Sequence, residues 1–345
     1  MQVTMKKVAR RAGVSSSTVS RVVSGHPNVR EETSRKVKKI MDEMKYTPNM
    51  IAKSLVSKIT SSMCILLPMQ DEKLFSNLFY MELIRGIATQ ANLSGFDILI
   101  SSGANENEEV ETVSRLLKGR HVDGVILFSS GKEDAVIDFL KINGYPFVLI
   151  GRSDKYNGIL SVDTNNVTAA YDATNHLISR GHKRIGFVSG PSNLTISCDR
   201  LKGYRKAILD NGLEWHPEWI LDGEVIQDRG YQAMSFFMNL PERPTAILVV
   251  DDMVAFGVIS GLNKLKYKVP DDLAVVTFNN TPLTELSNPP ISSIDIGIYQ
   301  LGFTASQVLI KSIQHPGNDT QHTNRFIIEH QLIVRESSIP KLLGV

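Results

Sequence analysis

The chain has 345 residues, 42% of them hydrophobic and 21% charged, with a formal net charge of +2. That length exceeds what one small core organises, so two or three folding units are expected. No apolar run reaches the ~20 residues of a membrane span, and two cysteines without ligand spacing argue against a disulfide framework or a cysteine-held metal.

The charge is divided unevenly. Residues 1–60 hold thirteen Lys/Arg and four Asp/Glu, a balance of +9, while the rest hold 25 and 32, a balance of −7. A basic head of this kind neutralises phosphates and makes binding salt-dependent, whereas an acidic body repels nucleic acid. The N-terminus shows no charged-then-apolar leader, so a cytoplasmic protein with reduced thiols, no metal and no cofactor is expected.

In chain order, Val8, Ala9 and Ala12 lie on one face of a first helix, and Gly13 breaks it where a tight turn needs positive φ. Val14 plugs the elbow, Ser15 is a natural N-cap, and Val19, Val22 and Val23 bury a second helix against the first. An ordinary helical hairpin would obey the same capping rules. The polar tip Ser15–Ser20 followed by Arg21 is what makes this a DNA-facing helix-turn-helix. A third helix starts near Arg30 with the stripe Val37, Ile40, Met41 and Met44, and Pro48 restricts the residue before it. Residues 49–58 then offer two to three helical turns with Asn49 as N-cap, too short to be stable alone. They read either as a linker draped on the next domain or as a hinge that becomes helical on DNA.

These residues together resemble the head of the lactose/galactose-repressor (LacI/GalR-type) family, from Val3 to Leu55 without a gap. The pattern that carries the resemblance is Val8-Ala9-x2-Ala12-Gly13-Val14-Ser15-x2-Thr18-Val19-Ser20-Arg21, then His26-Pro-Asn-Val29, Tyr46-x-Pro-Asn49 and Ala52-x2-Leu55. The resemblance implies that Ser16, Ser17 and Arg21 read base edges in the major groove. It implies that Thr4, Ser15, Thr18, Ser20, Ser24, Asn28, Arg30, Thr33 and Tyr46 hold phosphates. Leu55 matches the residue that wedges between base steps, with Asn49, Ala52 and Lys53 beside it in the hinge. Short hydroxyls at a helix N-terminus suit phosphate oxygens, and Arg can fork onto guanine. One head offers few base contacts, so a homodimer on a near-palindromic double-stranded operator is implied.

From Ser62 onward short apolar runs alternate with helical stretches. The runs are Met63–Leu67, Phe96–Ile100, Val122–Phe128, Phe147–Ile150, Ile185–Val188, Ala246–Val250 and Leu273–Phe278, rich in Val, Ile and Leu as parallel strands buried on both faces are. Helical periodicity covers Glu82–Asn92, Glu108–Leu117, Val167–Ser179, Arg200–Leu209 and Asp252–Leu265. The expected fold is α/β: an all-α helix-turn-helix head plus a two-lobed doubly wound core. That core resembles the periplasmic-binding-protein-like body of the same family. The expected domains are 1–47 for DNA binding, 48–61 for the hinge helix and linker, and 62–338 for the effector-binding and dimerisation body. Within that body, lobe 1 takes about 62–162 plus 291–322, and lobe 2 about 163–290 plus 323–338.

A ligand in such a fold sits beyond the carboxyl ends of the strands. The candidates are therefore Met69 after the first strand, Phe79 and Tyr80 opening the next helix, Arg152 after the fourth strand, Arg200, Asp251 and Asn279. Arginines, acidic or amide groups and aromatic faces suit a small carbohydrate. Each has a plainer use: Arg200 in a surface salt bridge, Asp251 as a helix cap, the aromatics in the core, and Asn280 in a turn. The family commonly carries Asn-Asp where this chain has Asp251-Asp252, and Phe-Asp-Asp where it has Phe278-Asn-Asn280. The latter signature resembles maltose/maltodextrin-operon repressors.

A sugar-binding transport receptor would suit the body but not the head. An enzyme would need a G-x-S-x-G elbow, a phosphate-binding P-loop or a dinucleotide fingerprint, and the sequence contains none. His176 and His182 are six apart, which is not metal spacing on a helix. The expectation is a repressor of carbohydrate-use genes, with a non-sugar effector or a protein co-repressor as the alternative.

Overall fold

A computed structural model describes residues 3–23, 28–46, 59–67, 77–128, 134–222, 229–316 and 324–339. The expected hinge contacts Asn49, Ala52, Lys53 and Leu55, together with Ser24 and Met69, lie outside the described residues.

The head is three helices, α1 (Met5–Ala12), α2 (Ser16–Val23) and α3 (Glu31–Glu43). Gly13 takes φ +69°, and the Val14 N–H donates to the Ala9 carbonyl across the turn at 3.0 Å. Val8, Ala9, Ala12, Val19, Val22 and Val37 form the buried centre, with Ile40, Met41, Met44 and Tyr46 packed around it half-buried. The apolar spacing alone carries this small core.

The body has two sheets, each of six strands among the described residues. In the first, the order is β11 (Arg325–Ile328), β5 (Ser161–Thr164), β4 (Phe147–Ile150), β3 (Gly124–Phe128), β1 (Ser62–Leu66) and β2 (Asp97–Ser101). In the second it is β12 (Gln331–Ile333), β10 (Ser292–Asp295), β9 (Ala274–Phe278), β8 (Ala246–Val249), β6 (Ile185–Val188) and β7 (Ile220–Leu221). Every described pairing is parallel except β10 with β12. Successive residues of β1 serve opposite faces, as the strand period of two requires: Met63 and Ile65 join one cluster, Cys64 and Leu66 another.

Helices cover both sheets. Lobe 1 carries α4 (Leu78–Leu93), α5 (Glu106–Lys118), α6 (Ala135–Asn143) and α12 (Ile298–Gln314). Lobe 2 carries α7 (Asn166–Ser179), α8 (Thr195–Asp210), α9 (Arg229–Met238), α10 (Asp252–Lys264) and the short α11 (Leu283–Leu286). The chain crosses between lobes three times: from β5 to α7, from β10 to α12, and from β11 to β12. At these crossings the Thr164 hydroxyl lies 3.1 Å from the Ile296 carbonyl and 3.0 Å from that of Ile328, so one buried side chain meets all three.

Two expectations need correction. The first concerns lobe membership: β10, placed in lobe 1, pairs with β9 of lobe 2, while Phe326 on β11, placed in lobe 2, belongs to the lobe 1 sheet. The crossings thus fall near 296 and 329 rather than 291 and 323. The second concerns helix starts: Arg200 does not open a helix but sits in the second turn of α8, which begins at Thr195. The strands β5 and β7 and the helices α6 and α9 are not among the elements that the apolar runs and helical periodicity predict.

Candidate functional site

On the head, Ser15 caps α2: the Thr18 N–H donates to the Ser15 Oγ at 3.1 Å. The Ser15 hydroxyl also lies 2.7 Å from that of Ser17 and 2.9 Å from that of Thr18. Thr4, Ser15, Ser16, Ser17, Arg21, Asn28 and Arg30 are exposed, whereas Thr18, Ser20, Thr33 and Tyr46 are partly covered. Neither α1 nor α2 has an acidic residue in its first turn. The result is a cluster of small hydroxyls at a positively polarised helix end, with Arg21 one turn along. Such a tip can approach phosphates and base edges without charge repulsion.

In the body, lobe 2 brings Arg200, Asp251 and Asn279 together. Arg200 is only 2% exposed. Its Nε donates to the Asn166 Oδ1 at 3.0 Å, its Nη1 donates to the Val250 carbonyl at 2.7 Å, and its guanidinium carbon lies 3.9 Å from the centre of the Phe278 ring. The remaining Nη2 is buried without a partner among the described residues. Burial pushes the Arg200 guanidinium down to about 10, while Asp251, Asp163 and Asp252 pull it upward, so it stays charged at neutral pH. The surface-salt-bridge reading is therefore wrong: this is an interior cation with one donor left over.

Asp251 caps α10, its Oδ1 accepting from the Met253 N–H at 2.8 Å, and its Oδ2 accepts from the Asn279 Nδ2 at 3.0 Å. Burial raises its pKa. The two residues after β9, Asn279 and Asn280, both take positive φ, which asparagine tolerates better than most residues. Asn280 serves the turn, donating from Nδ2 to the Asp295 Oδ2 at 3.0 Å. In lobe 1, Phe79 and Tyr80 lie in the first turn of α4, and Tyr80 meets Phe128, the last residue of β3, edge-to-face at 5.8 Å.

Arg152 is engaged across the cleft. Its Nε donates to the Asp199 Oδ2 at 2.6 Å and its Nη2 to the Asp199 Oδ1 at 2.5 Å, and it also pairs with Asp154. Arg152 follows β4 of lobe 1 and Asp199 lies on α8 of lobe 2, so this pair joins the lobes. It borders a cavity of about 280 Å³ that is also lined by Asn165, Lys202 and Arg325.

Sequence reasoning missed Asn166 and Asp199, and took Asp252 only as the neighbour of Asp251. Asn166 accepts from Arg200 and donates to the Asp163 Oδ1 at 3.1 Å, linking the buried cation to the first crossing. Its position in Asp163-Thr-Asn-Asn166 was the available signal. Asp252, 1% exposed, accepts from the Thr281 N–H, the Thr281 hydroxyl and the Ser293 hydroxyl, tying α10 to the strand ends that carry Asn279.

Burial, and then the neighbouring Asp251 charge, push the Asp252 carboxyl up to about 7. A carboxyl whose folded pKa is raised favours the fold most when protonated. Its contribution is complete below the unfolded value near 4 and is lost as pH rises through about 7. Urea unfolding of Asp252→Asn between pH 5 and 8 should accordingly show a flatter pH dependence than the parent, on top of a lower baseline stability. Parallel curves would remove Asp252 from the titration.

A basic helix-turn-helix joined in sequence to two doubly wound lobes that clasp at their strand ends defines the class: a DNA-binding regulator with a ligand-binding body. Residues 4–49 match the bacterial regulatory proteins of the lacI family, and residues 174–338 match the periplasmic binding protein-like domain. Catabolite control protein A of Priestia megaterium is 35% identical over 98% of this chain and 100% of its own length. The HTH-type transcriptional regulator MalR of Streptococcus pneumoniae is 32% identical over 96% and 99%. The solved structure of a transcriptional regulator CelR–cellobiose complex aligns at a TM-score of 0.74 and 29% identity, covering 97% of this chain and all of that one. The chain belongs to the LacI family of transcriptional regulators.

Among the described residues no helix is long and apolar enough to cross a membrane, and no group of three or more His, Cys, Asp or Glu is placed to hold a metal.

Proposed function

We propose that this regulator is a homodimeric, cytoplasmic repressor of carbohydrate-use genes whose effector is an uncharged sugar bound between the lobes. The observation that carries this reading is Arg200: a buried, oriented guanidinium with one unpartnered donor, beside the Asp251–Asn279 pair, at the carboxyl end of the lobe 2 sheet. A sugar hydroxyl supplies the missing acceptor, and its own proton suits a carboxylate. Two of the cations here already face carboxylates, Arg152 paired with Asp199 and Arg200 beside Asp251, which favours a neutral ligand over an anion. The Phe79–Tyr80 pair offers the apolar face that a sugar ring stacks on.

The likeness to a cellobiose-bound regulator supports a small sugar as the effector. The Phe278-Asn-Asn280 signature makes maltose and maltodextrins the first effectors to test. Fluorescence titration of operator affinity against maltose, maltodextrins and cellobiose, with sugar phosphates as a contrast, tests the reading. A neutral sugar should change the affinity. A response confined to the phosphates would overturn it.

On DNA, Ser16, Ser17 and Arg21 read bases. Thr4, Ser15, Thr18, Ser20, Ser24, Asn28, Arg30, Thr33 and Tyr46 hold phosphates, and the segment with Asn49, Ala52, Lys53 and Leu55 enters the minor groove. A change of lobe angle on effector binding respaces the two hinges, and by linkage operator DNA must alter effector affinity by the same factor. Leu55→Ala should weaken operator binding by about 2 kcal/mol while leaving salt-driven, non-specific binding nearly intact. Titration on operator and random DNA measures both, and equal losses would reduce Leu55 to a linker residue.

A further inference from the structure

We infer that the Arg152–Asp199 pair is an interlobe clasp that holds the two lobes together without any ligand, so that it sets the resting lobe angle from which the regulator switches. This inference does not depend on the effector being a sugar.

The position of the two residues is the first argument. Arg152 stands two residues beyond the end of β4, in a segment that leaves the lobe 1 sheet, and its exposed neighbour Asp154 holds the other side of the guanidinium. Asp199 projects from the second turn of α8, the same turn that carries Arg200. The two elements share no sheet and are 47 residues apart in sequence. Any opening of the cleft at this rim must break the pair.

Its chemistry is the second argument. Two N–H donors meet the two carboxylate oxygens at 2.6 and 2.5 Å, the fork-to-fork geometry in which arginine and a carboxylate bind most strongly. The Asp199 side chain is only 8% exposed and that of Arg152 23%, so water screens the pair far less than the exposed arm to Asp154, whose side chain is 77% exposed.

Its surroundings are the third. Asp199 adds an unfavourable charge to Asp163, itself buried at the first crossing and held by the Thr164 N–H and by Arg325. With Arg152 withdrawn, the Asp199 charge that opposes Asp163 would lose its own counter-ion. The clasp therefore restrains the lobes directly and keeps a repulsion at the crossing in check. A closed resting state held by one forked ion pair can be released by a modest opposing force, which is what a two-state switch needs.

The experiment uses the full-length chain without ligand. Small-angle X-ray scattering reports lobe separation for the parent, Asp199→Asn, Arg152→Gln, the double variant and Asp154→Asn, after circular dichroism has verified folding. Removing either partner of the clasp should expand the body, with the closed-to-open ratio falling roughly 10- to 100-fold. The double variant should open no further than the more open of the two singles, because they remove one interaction. Asp154→Asn should scatter as the parent does. Scattering of Asp199→Asn and Arg152→Gln that superimposes on the parent's would overturn the clasp, as would equal expansion in Asp154→Asn. If one single variant fails to fold, the other decides by the same comparison.

Discussion

Arg200→Ala should cost the fold about 3–5 kcal/mol, the range for removing one partner of a buried charge network. The truncation would leave the Asn166 Oδ1 and the Val250 carbonyl without their donor and would remove a cation that the carboxylates of Asp251, Asp163 and Asp252 all feel. It would also empty the space against the Phe278 ring. This differs from the expectation for a ligand contact on the surface, where alanine would spare stability and only weaken binding. Urea unfolding decides between the two, and a loss below about 1 kcal/mol would return Arg200 to a peripheral place. Arg200→Lys separates the roles further. It keeps the charge near the carboxylates but cannot reproduce the planar fork that reaches Asn166 and Val250 together while stacking on Phe278. It should recover part of the stability yet bind the effector more weakly than the parent, because no rigid third donor remains for the ligand.

Gly86→Ala should be the most damaging small substitution in lobe 1, at about 3 kcal/mol, the upper part of the range for overpacking. A Cβ there would stand 2.1 Å from the Tyr299 carbonyl oxygen and 2.9 Å from the Phe303 nitrogen, and across the same seam a Cβ on Gly302 would stand 2.2 Å from the Leu83 carbonyl oxygen. All three are backbone atoms of helices, so no side-chain rotation relieves the contact and α4 must move away from α12. Because Phe79 and Tyr80 open α4, the displacement would carry both rings with it. Gly95→Ala is the proper control. Gly95 has φ +69° with nothing within 4 Å of the added atom, so it should cost only the left-handed strain of about 1–2 kcal/mol. Thermal or urea unfolding ranking Gly95→Ala as the worse of the two would contradict the close helix crossing. Gly86→Ala combined with Gly302→Ala should cost less than the sum, since once the helices have separated the second methyl finds room.

The head was legible because everything that determines it is local. The 3.6-residue spacing of Val8, Ala9, Ala12, Val19, Val22 and Val37, the glycine at the turn and the serine at the cap specify a three-helix core within 46 residues. The central strands of both sheets were legible for a related reason. A strand buried on both faces is a short unbroken apolar run, and its neighbours need not be known for it to be recognised. Asp251 and Asn280 also did what their sequence neighbours suggested, a helix cap and a turn.

What the chain order does not contain is which surfaces meet. The short segment Ser292–Asp295 that became β10 could complete either sheet, and β11 likewise, because burial is encoded residue by residue while pairing is chosen among competing edges. Arg200 looked like a rim residue because a charged side chain has no sequence mark for being interior. Only the assembly of Asn166, the Val250 carbonyl, Phe278 and three carboxylates around it makes burial tolerable. Arg152 and Asp199 carry no periodic relation to each other and belong to different lobes, so their pairing exists only once the three crossings have brought the two lobes together. Helical period, caps and strand burial are written in neighbouring residues, so a basic helix-turn-helix head on a doubly wound α/β body is readable along the chain. The tertiary structure alone decided which charges sit in the interior and which hold the lobes together, because the free energy of a charge depends on partners that arrive from far along the chain.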